Sequence, residues 1–137
     1  FTKTGAIYFS SNINAAEGTE DFDIYTCRFV NGEFQKAVRL GPAVNTTGYE
    51  ADVYVNPDET YLIYCSDRPG TFGRGDLFIS YKNADGSWTP SKNMGKEVNE
   101  ARTEYCPYVT PDGKYLLFTA EDDIRWVDAA IIERLRK

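Results

Sequence analysis

The sequence predicts an all-β fold made of β-propeller blades, each of which is a sheet of four antiparallel strands. Three observations lead to this prediction. Aromatic residues, which favour strands, make up 15% of the chain and include ten Tyr and eight Phe. Short runs that alternate apolar with polar residues are separated by turn-forming residues. One such pattern of strand, tight turn and strand, in residues 49–64, recurs in residues 104–118.

The recurrence extends beyond this pattern, because residues 31–64 align without a gap with residues 85–118, at a spacing of 54. The matched positions include hairpin, loop, strand and turn residues: Asn31-Gly32 with Asp85-Gly86, Asn45 with Asn99, Glu50 with Glu104, and Pro57-Asp58 with Pro111-Asp112. A period of this length, made of short strands and turns, indicates repeated four-stranded sheets rather than a helical solenoid. Such sheets form a β-propeller when they are arranged radially.

The first segment, residues 1–45, is predicted to be a blade that lacks most of its inner strand. Its strands are expected at residues 6–10, 23–29 and 34–38, with a polar loop over residues 11–22. Asn31-Gly32 is a strong hairpin signal, because both residues adopt positive φ readily. The strand that follows this hairpin is therefore predicted to be the outer strand of the blade.

The second segment, residues 46–98, is predicted to be a complete blade. Its first three strands are expected at residues 50–55, 61–65 and 76–81, and Trp88 is expected to begin the fourth. Trp88 is predicted to pack against an adjacent strand or blade, as is Phe34 at the matched position. Glu59 occupies the turn position that is Gly113 in the next copy, so a positive φ is expected there.

The third segment, residues 99–127, is predicted to have strands at 105–109, 115–119 and 123–127 and to lack its outer strand. Residues 128–137 are predicted to form a short C-terminal helix that Asp128 caps. The chain thus holds about 2.7 blades, whereas closed propellers contain about four to eight. We therefore expect it to associate with the remaining blades of a longer chain or with a second copy of itself, and favour the longer chain.

Composition argues against several classes of function. The net charge of −6 and the pI near 4.7 leave no basic stripe for nucleic acid. The sequence contains no apolar run long enough to span a membrane. It contains no histidine, so neither a Ser-His-Asp nor a Cys-His arrangement can be completed within the chain. Cys27, Cys65 and Cys106 are widely spaced and are predicted to be buried free thiols; no metal and no cofactor are expected.

The repeated residues resemble the PD40, or WD40-like, repeat of TolB-like six-bladed β-propellers. The resemblance rests on two glutamate and turn sets and on two strand starts: Glu50 with Pro57-Asp58, Glu104 with Pro111-Asp112-Gly113-Lys114, Asp23-Ile24-Tyr25 and Asp76-Leu77-Phe78. Glu59 departs from the pattern, which has glycine at that turn position. The resemblance implies a protein of the bacterial periplasm or cell envelope. Similar propellers serve as protein-binding scaffolds, accompany envelope domains or precede peptidase domains, so fold alone leaves function open.

The candidate ligand site lies in the loops that share the top face of the predicted blades, because these loops vary while the opposite turns hardly do. The candidate ligand-binding residues are Tyr49, Glu50, Arg68, Arg74, Arg102, Glu104 and Tyr105. Arginines at such a face suit a carboxylate-bearing ligand or a peptide terminus. A structural role for Glu50 and Glu104 is the alternative, in which each bonds to the neighbouring blade or to the loop before its own strand.

The acidic loop residues are the remaining candidates for a site: Glu17, Glu20, Asp21 and Asp23, and Glu121, Asp122 and Asp123. They lack the spacing of a calcium loop, so solvated loop charge is the favoured interpretation. We expect a non-catalytic binding or scaffold module for a protein or small ligand. The alternative is a carbohydrate-active or peptidase-associated propeller, a hydrolase or lyase, whose catalytic groups lie partly outside this segment.

Overall fold

The computed structural model describes residues 1–16 and 21–137, and these residues form mostly β-structure with one short helix. This confirms the predicted all-β class. The elements in chain order are β1 Ile7–Ser11, β2 Asp23–Cys27, β3 Phe29–Val30, β4 Glu33–Phe34, β5 Val38–Arg39, β6 Glu50–Val55, β7 Tyr61–Ser66, β8 Asp76–Tyr81, β9 Lys92–Asn93, β10 Glu104–Val109, β11 Tyr115–Ala120, β12 Asp123–Asp128 and α1 Ala130–Arg136.

The described strands form four antiparallel sheets, and no sheet closes on itself. We call three of them the first sheet (β1-β2-β5), the middle sheet (β6-β7-β8-β9) and the third sheet (β10-β11-β12). The fourth is the small hairpin β3-β4. Strand neighbours in the three larger sheets follow chain order except for β2 and β5, between which the hairpin is inserted.

Both predicted outer strands are misplaced. The expected strand over residues 34–38 is wrong: Glu33–Phe34 pairs with Phe29–Val30, and Val38–Arg39 pairs with β2. In the middle sheet the fourth strand is Lys92–Asn93, and Trp88 forms only an isolated bridge to Lys82. In each case the residues just after the hairpin turn pair with the residues just before it. The chain rejoins the sheet only several residues later, so distance from the turn does not set the strand start.

Turn and bulge positions carry positive φ at matched places. Glu59 has a φ of 56° and Gly113 a φ of 70°, which confirms the expectation for residue 59. Strands β6 and β10 each contain a register shift, with φ values of 53° at Asp52 and 50° at Cys106. These bulges bend both strands at the same point, because an extra residue re-aims the side chains that follow it.

Two apolar clusters hold the three sheets face to face. Leu62, Tyr64 and Phe78 belong to the cluster between the first and middle sheets, with the Tyr64 and Phe78 rings stacked at 6.3 Å. Ile63 and Leu77 belong to the cluster between the middle and third sheets. Neighbours on β7 and β8 therefore alternate between the clusters, as successive side chains of a strand point to opposite faces.

Two buried asparagines connect the first and middle sheets to the loop that leads into the first strand of the following sheet. The Asn45 side chain accepts a hydrogen bond from the Ile24 amide at 2.7 Å and donates to the Ile24 carbonyl at 2.9 Å. Asn99 makes the same two bonds to Leu77, at 2.8 and 2.9 Å. A single side chain thus satisfies both backbone groups of a buried strand residue, which would be costly to leave unpaired.

The C-terminal helix spans Ala130–Arg136, within the predicted residues 128–137, but its N-cap is Ala129 and not the predicted Asp128. Asp128, one residue earlier, accepts a hydrogen bond from the Ala130 amide at 2.8 Å and so satisfies one free amide of the first turn. Ile131 and Ile132 are buried in the cluster between the middle and third sheets. The Tyr81 hydroxyl donates to the Ile132 carbonyl at 2.5 Å, so the helix is anchored on the middle sheet.

The third sheet has one uncovered face. Ile124 and Trp126 are 76% and 65% exposed, whereas Leu77 and Ile79, at the equivalent register of the middle sheet, are fully buried. Leu77 and Ile79 are covered by the third sheet, and among the described residues nothing covers Ile124 and Trp126 in the same way. The β12 strand is also a sheet edge with unpaired backbone groups.

We predict that this chain self-associates at micromolar concentration, because burying the exposed face is worth about 25 cal/mol per Å². Ile124→Lys and Trp126→Lys together should shift the light-scattering mass toward the monomer. Val38→Lys, which changes a residue that is 62% exposed in the first sheet, is the control. A concentration-independent monomer for the unsubstituted chain would contradict the prediction.

Trp88 packs between sheets, as predicted, whereas Phe34 is half exposed. The Trp88 ring lies edge-on to Tyr8 at 6.1 Å, with the Lys82 ammonium 5.4 Å from its centre. We expect Trp88→Ala to lower the free energy of unfolding by about 2 kcal/mol, less than for a fully buried ring. Phe34→Ala should cost less than about 1 kcal/mol, since Phe34 is 51% exposed and contacts Phe29. Denaturant titration measures both losses of unfolding free energy. Equal losses would contradict the conclusion that Trp88 packs between sheets whereas Phe34 is half exposed.

Candidate functional site

Glu50, the first residue of β6, is fully buried and holds the loop before its own strand. Its carboxylate accepts hydrogen bonds from the Thr46 amide at 2.8 Å and the Thr46 hydroxyl at 2.6 Å. The Ser66 hydroxyl donates at 2.8 Å and the Arg68 guanidinium at 3.1 Å. These contacts fit the alternative expectation, in which Glu50 has a structural role and bonds to the loop before its own strand.

Arg68 completes this cluster from the loop after β7. Its Nη2 donates to the Val44 carbonyl and to the Tyr64 hydroxyl, both at 2.7 Å, as well as to Glu50. The guanidinium lies over the Phe78 ring at 4.6 Å and the Tyr64 ring at 5.3 Å. Because the Glu50 carboxylate, the Val44 carbonyl and two aromatic rings already contact its guanidinium, Arg68 has few N–H groups left to bind a ligand.

Glu104, the matched residue of β10, has none of these contacts. It is fully buried, and neither carboxylate oxygen has a hydrogen-bond partner among the described residues. Ala120 lies opposite Glu104 where Ser66 lies opposite Glu50, and Glu100 replaces Thr46 at the spacing of 54. Burial raises the pKa of Glu104; Asp76 and Glu100 raise it further, while the Glu100 backbone and Arg125 lower it. The folded structure therefore disfavours the charged form of this carboxyl relative to water.

The other predicted ligand-binding residues mostly have internal partners. Arg102 forms an ion pair with Glu121 at 2.7 Å, and the Tyr105 hydroxyl donates to the Glu121 carbonyl at 2.7 Å. The Tyr49 ring packs against Phe22 at 5.5 Å. Arg74 is exposed. The structure thus brings Glu50 to Arg68, and Arg102 and Tyr105 each to Glu121. Ligand binding at these loops stays a prediction.

The acidic loop residues fall into separate places. Glu17 and Glu20 lie outside the described residues. Asp23 is buried and accepts two hydrogen bonds of 2.6 Å from Arg39. Asp123 is exposed at the start of β12. In residues 1–16 and 21–137, no group of three or more Cys, Asp and Glu side chains is arranged to hold a metal ion.

A cavity that the sequence did not predict lies at the C-terminal ends of β6 and β10, away from Glu50 and Glu104. It has a volume of about 620 Å³ and is lined by the second halves of β6 and β10, by their turns and by β1. Its lining residues include the tyrosines Tyr8, Tyr54, Tyr61 and Tyr108. The available signal was the matched pair Tyr54 and Tyr108, which lie 54 residues apart on the two inner strands.

A second cavity of about 380 Å³ adjoins the first. Both are lined by Tyr8 and Val53, and the second also contacts Asp52 and Cys106. We call the two cavities together the inner-strand groove. Asp52 and Cys106 are the bulge residues with positive φ, a conformation that costs about 1–3 kcal/mol and that often occurs at functional sites.

Tyrosine rings form much of the groove. Tyr54 lies edge-on to Tyr108 at 5.9 Å and contacts Tyr61 at 6.3 Å. Burial raises the pKa of Tyr54 and Tyr61, so their hydroxyls stay protonated at neutral pH. Lys3 and Asp58 form an ion pair of 2.7 Å on the lining of the larger cavity. Neutral hydroxyls and ring surfaces therefore dominate this part of the groove.

Cys106 corrects one sequence prediction, because it is exposed whereas Cys27 and Cys65 are buried. The bulge at Cys106 turns its side chain out of the strand alternation that the prediction assumed. Burial raises the pKa of Asp52, and an interaction with Cys106 partly opposes this rise. Partial burial and the Asp52 carboxylate raise the pKa of the Cys106 thiol, so a smaller share of it is in the reactive thiolate form than in a free cysteine.

No protein-family model matches the chain, and no curated protein sequence matches it. The described residues include no helix with the length and apolar character needed to cross a membrane.

The two matched glutamates predict opposite responses to neutralisation. In the unfolded chain Glu104 titrates near its ordinary pKa of about 4.5, and in the folded chain its pKa is higher. The contribution of Glu104 to the free energy of unfolding should therefore be most favourable below pH 4.5. It should fall as pH rises through the raised pKa. Glu104→Gln should remove that fall. Glu50→Gln should instead cost about 2 kcal/mol at neutral pH, because it weakens charge-assisted bonds.

Denaturant titrations of the three proteins from pH 4 to 8 measure these effects. The difference in unfolding free energy between Glu104→Gln and the unsubstituted chain should grow with pH. A difference that is independent of pH would show that Glu104 has a charge partner in the folded state.

Proposed function

We propose that this chain is a segment of a TolB-like β-propeller and acts as a non-catalytic binding module whose ligand occupies the inner-strand groove. The observation that carries the proposal is the cavity of about 620 Å³ walled by four tyrosines at the ends of the inner strands. Binding sites are commonly concave, have apolar and aromatic walls and offer a few polar groups for orientation. The groove combines these properties.

Two matched features support the propeller part of the proposal. The sheets stack in chain order, and the same asparagine contact joins each sheet to the loop that leads into the next. The first strands of the middle and third sheets carry bulges at matched positions. The sequence resemblance adds the expectation of six blades and a place in the periplasm or cell envelope, and both are part of the proposal.

The chemistry of the groove supports binding rather than catalysis. The chain has no histidine to serve as a general base. Partial burial raises the pKa of the Cys106 thiol and of the Tyr54 and Tyr61 hydroxyls, which disfavours their charged, nucleophilic forms. Side chains of this kind position a ligand through ring contacts and hydrogen bonds.

The test is a screen of peptides and oligosaccharides by NMR, followed by substitution of Tyr108, which is 50% exposed and lines the groove. Tyr108→Ala should weaken binding at least tenfold, the loss expected for one stacking ring. Tyr115→Ala is the matched control, because Tyr115 is 43% exposed on the same sheet and does not line the groove. A ligand that depends on Arg74 and not on Tyr108 would place the site in the loops at the strand starts.

A further inference from the structure

We propose that the inner-strand groove takes a ligand bearing a positive charge, an ammonium or guanidinium group, with Asp52 as its counter-ion and aromatic rings as its walls. This inference rests on the proposed function, since it names the ligand class of the same groove. It concerns the smaller cavity, in which Asp52 lies beside Tyr8, Phe9, Ser10 and Cys106.

Asp52 is a half-buried carboxylate without a cation. Among the described residues it has no ion pair within 4.0 Å, and its recorded neighbour is the Cys106 thiol. A carboxylate that is partly withdrawn from water is destabilised in its charged form unless an opposite charge lies close by. The cavity beside Asp52 offers space for such a charge.

The neighbouring carboxylates differ from Asp52 in this respect. Asp58, on the larger cavity, is paired with Lys3 at 2.7 Å. Glu59, in the turn after β6, is paired with Lys82 at 3.2 Å and lies 3.6 Å from Arg28. Asp52 is therefore the uncompensated negative charge among the described side chains that line the groove.

The walls of the groove suit a cation. Tyr8 and Phe9 line the cavity with Asp52, and Tyr54 and Tyr108 continue the aromatic surface into the larger cavity. The faces of aromatic rings carry negative charge density and attract ammonium and guanidinium groups. A cation held by Asp52 thus contacts rings on the way into the groove.

The chain uses the same combination internally. The Arg68 guanidinium is bound by the Glu50 carboxylate and lies over the Tyr64 and Phe78 rings at 5.3 and 4.6 Å. A carboxylate and two aromatic rings, together with the Val44 carbonyl and the Tyr64 hydroxyl, hold this guanidinium. The groove presents a carboxylate and rings of the same kind with no cation between them among the described residues.

The probe is an end-blocked tri-arginine peptide, and its matched control is the tri-citrulline peptide, which has the same shape without the charge. The readout is the rate at which Cys106 is alkylated by N-ethylmaleimide, followed by mass spectrometry. Cys106 lines the cavity and is exposed, whereas Cys27 and Cys65 are buried, so the chain contains its own reporter.

Tri-arginine should slow the alkylation of Cys106 in a saturable manner and bind at least tenfold more tightly than tri-citrulline. Asp52→Asn should weaken tri-arginine binding at least tenfold, and asparagine tolerates the positive φ of this position, so the variant is expected to fold. Asp122→Asn, which removes an exposed carboxylate that lines neither cavity, should change the affinity less than twofold. Circular dichroism melts establish that both variants are folded.

Equal protection by the two peptides would overturn the charged-ligand proposal and leave the groove as a binding site for neutral ligands. Binding of tri-arginine that Asp52→Asn does not weaken would overturn the proposal as well, because a group other than Asp52 would then bind the positive charge. Absence of protection by either peptide would also overturn it. The proposed function is judged separately, by whether any ligand found in the screen depends on Tyr108.

Discussion

Leu62 and Ile63 are neighbours on β7, point to opposite faces of the middle sheet, and are both fully buried. A sheet that is apolar on both faces is stable only when another layer covers each face. The first sheet covers Leu62 and the third sheet covers Ile63. The arrangement of the whole chain depends on this double burial, because it places three sheets in a row and brings their inner strands side by side.

The sheet stacking forces polar groups into the interior, and the two glutamates show two outcomes. Glu50 is surrounded by donors from Thr46, Ser66 and Arg68, so its charge is compensated. Glu104 sits at the matched position beside Ala120, and its carboxylate has no hydrogen-bond partner among the described residues. Identical residues at the same register thus differ in hydrogen bonding, because the side chains around them differ. The buried carboxyl of Glu104 costs stability when it is charged.

The inner-strand groove is a consequence of the same stacking combined with two bulges. Bulges at Asp52 and Cys106 re-aim the strands where β1, β6 and β10 approach one another. The tyrosines that follow on β6 and β10 then face a shared cavity instead of a sealed core. Strained backbone, an uncompensated carboxylate and an exposed thiol coincide there, and such coincidences are typical of sites that bind ligands.

The sequence alone determined the features that depend on local chemistry. Alternating apolar residues predicted the first three strands of the middle sheet and the strands of the third sheet, the turn pattern predicted positive φ at Glu59, and Asp128 predicted a helix that begins two residues later, at Ala130. Each of these depends on residues a few positions apart. Only the tertiary structure decided where β5 and β9 rejoin their sheets, since pairing with β2 and β8, and not distance from the hairpin turns, sets those positions. It also decided which charges are compensated and that Cys106 is exposed. The groove is lined by residues from Phe1 to Gly113, which meet only after three sheets have packed, and no local pattern encodes that meeting.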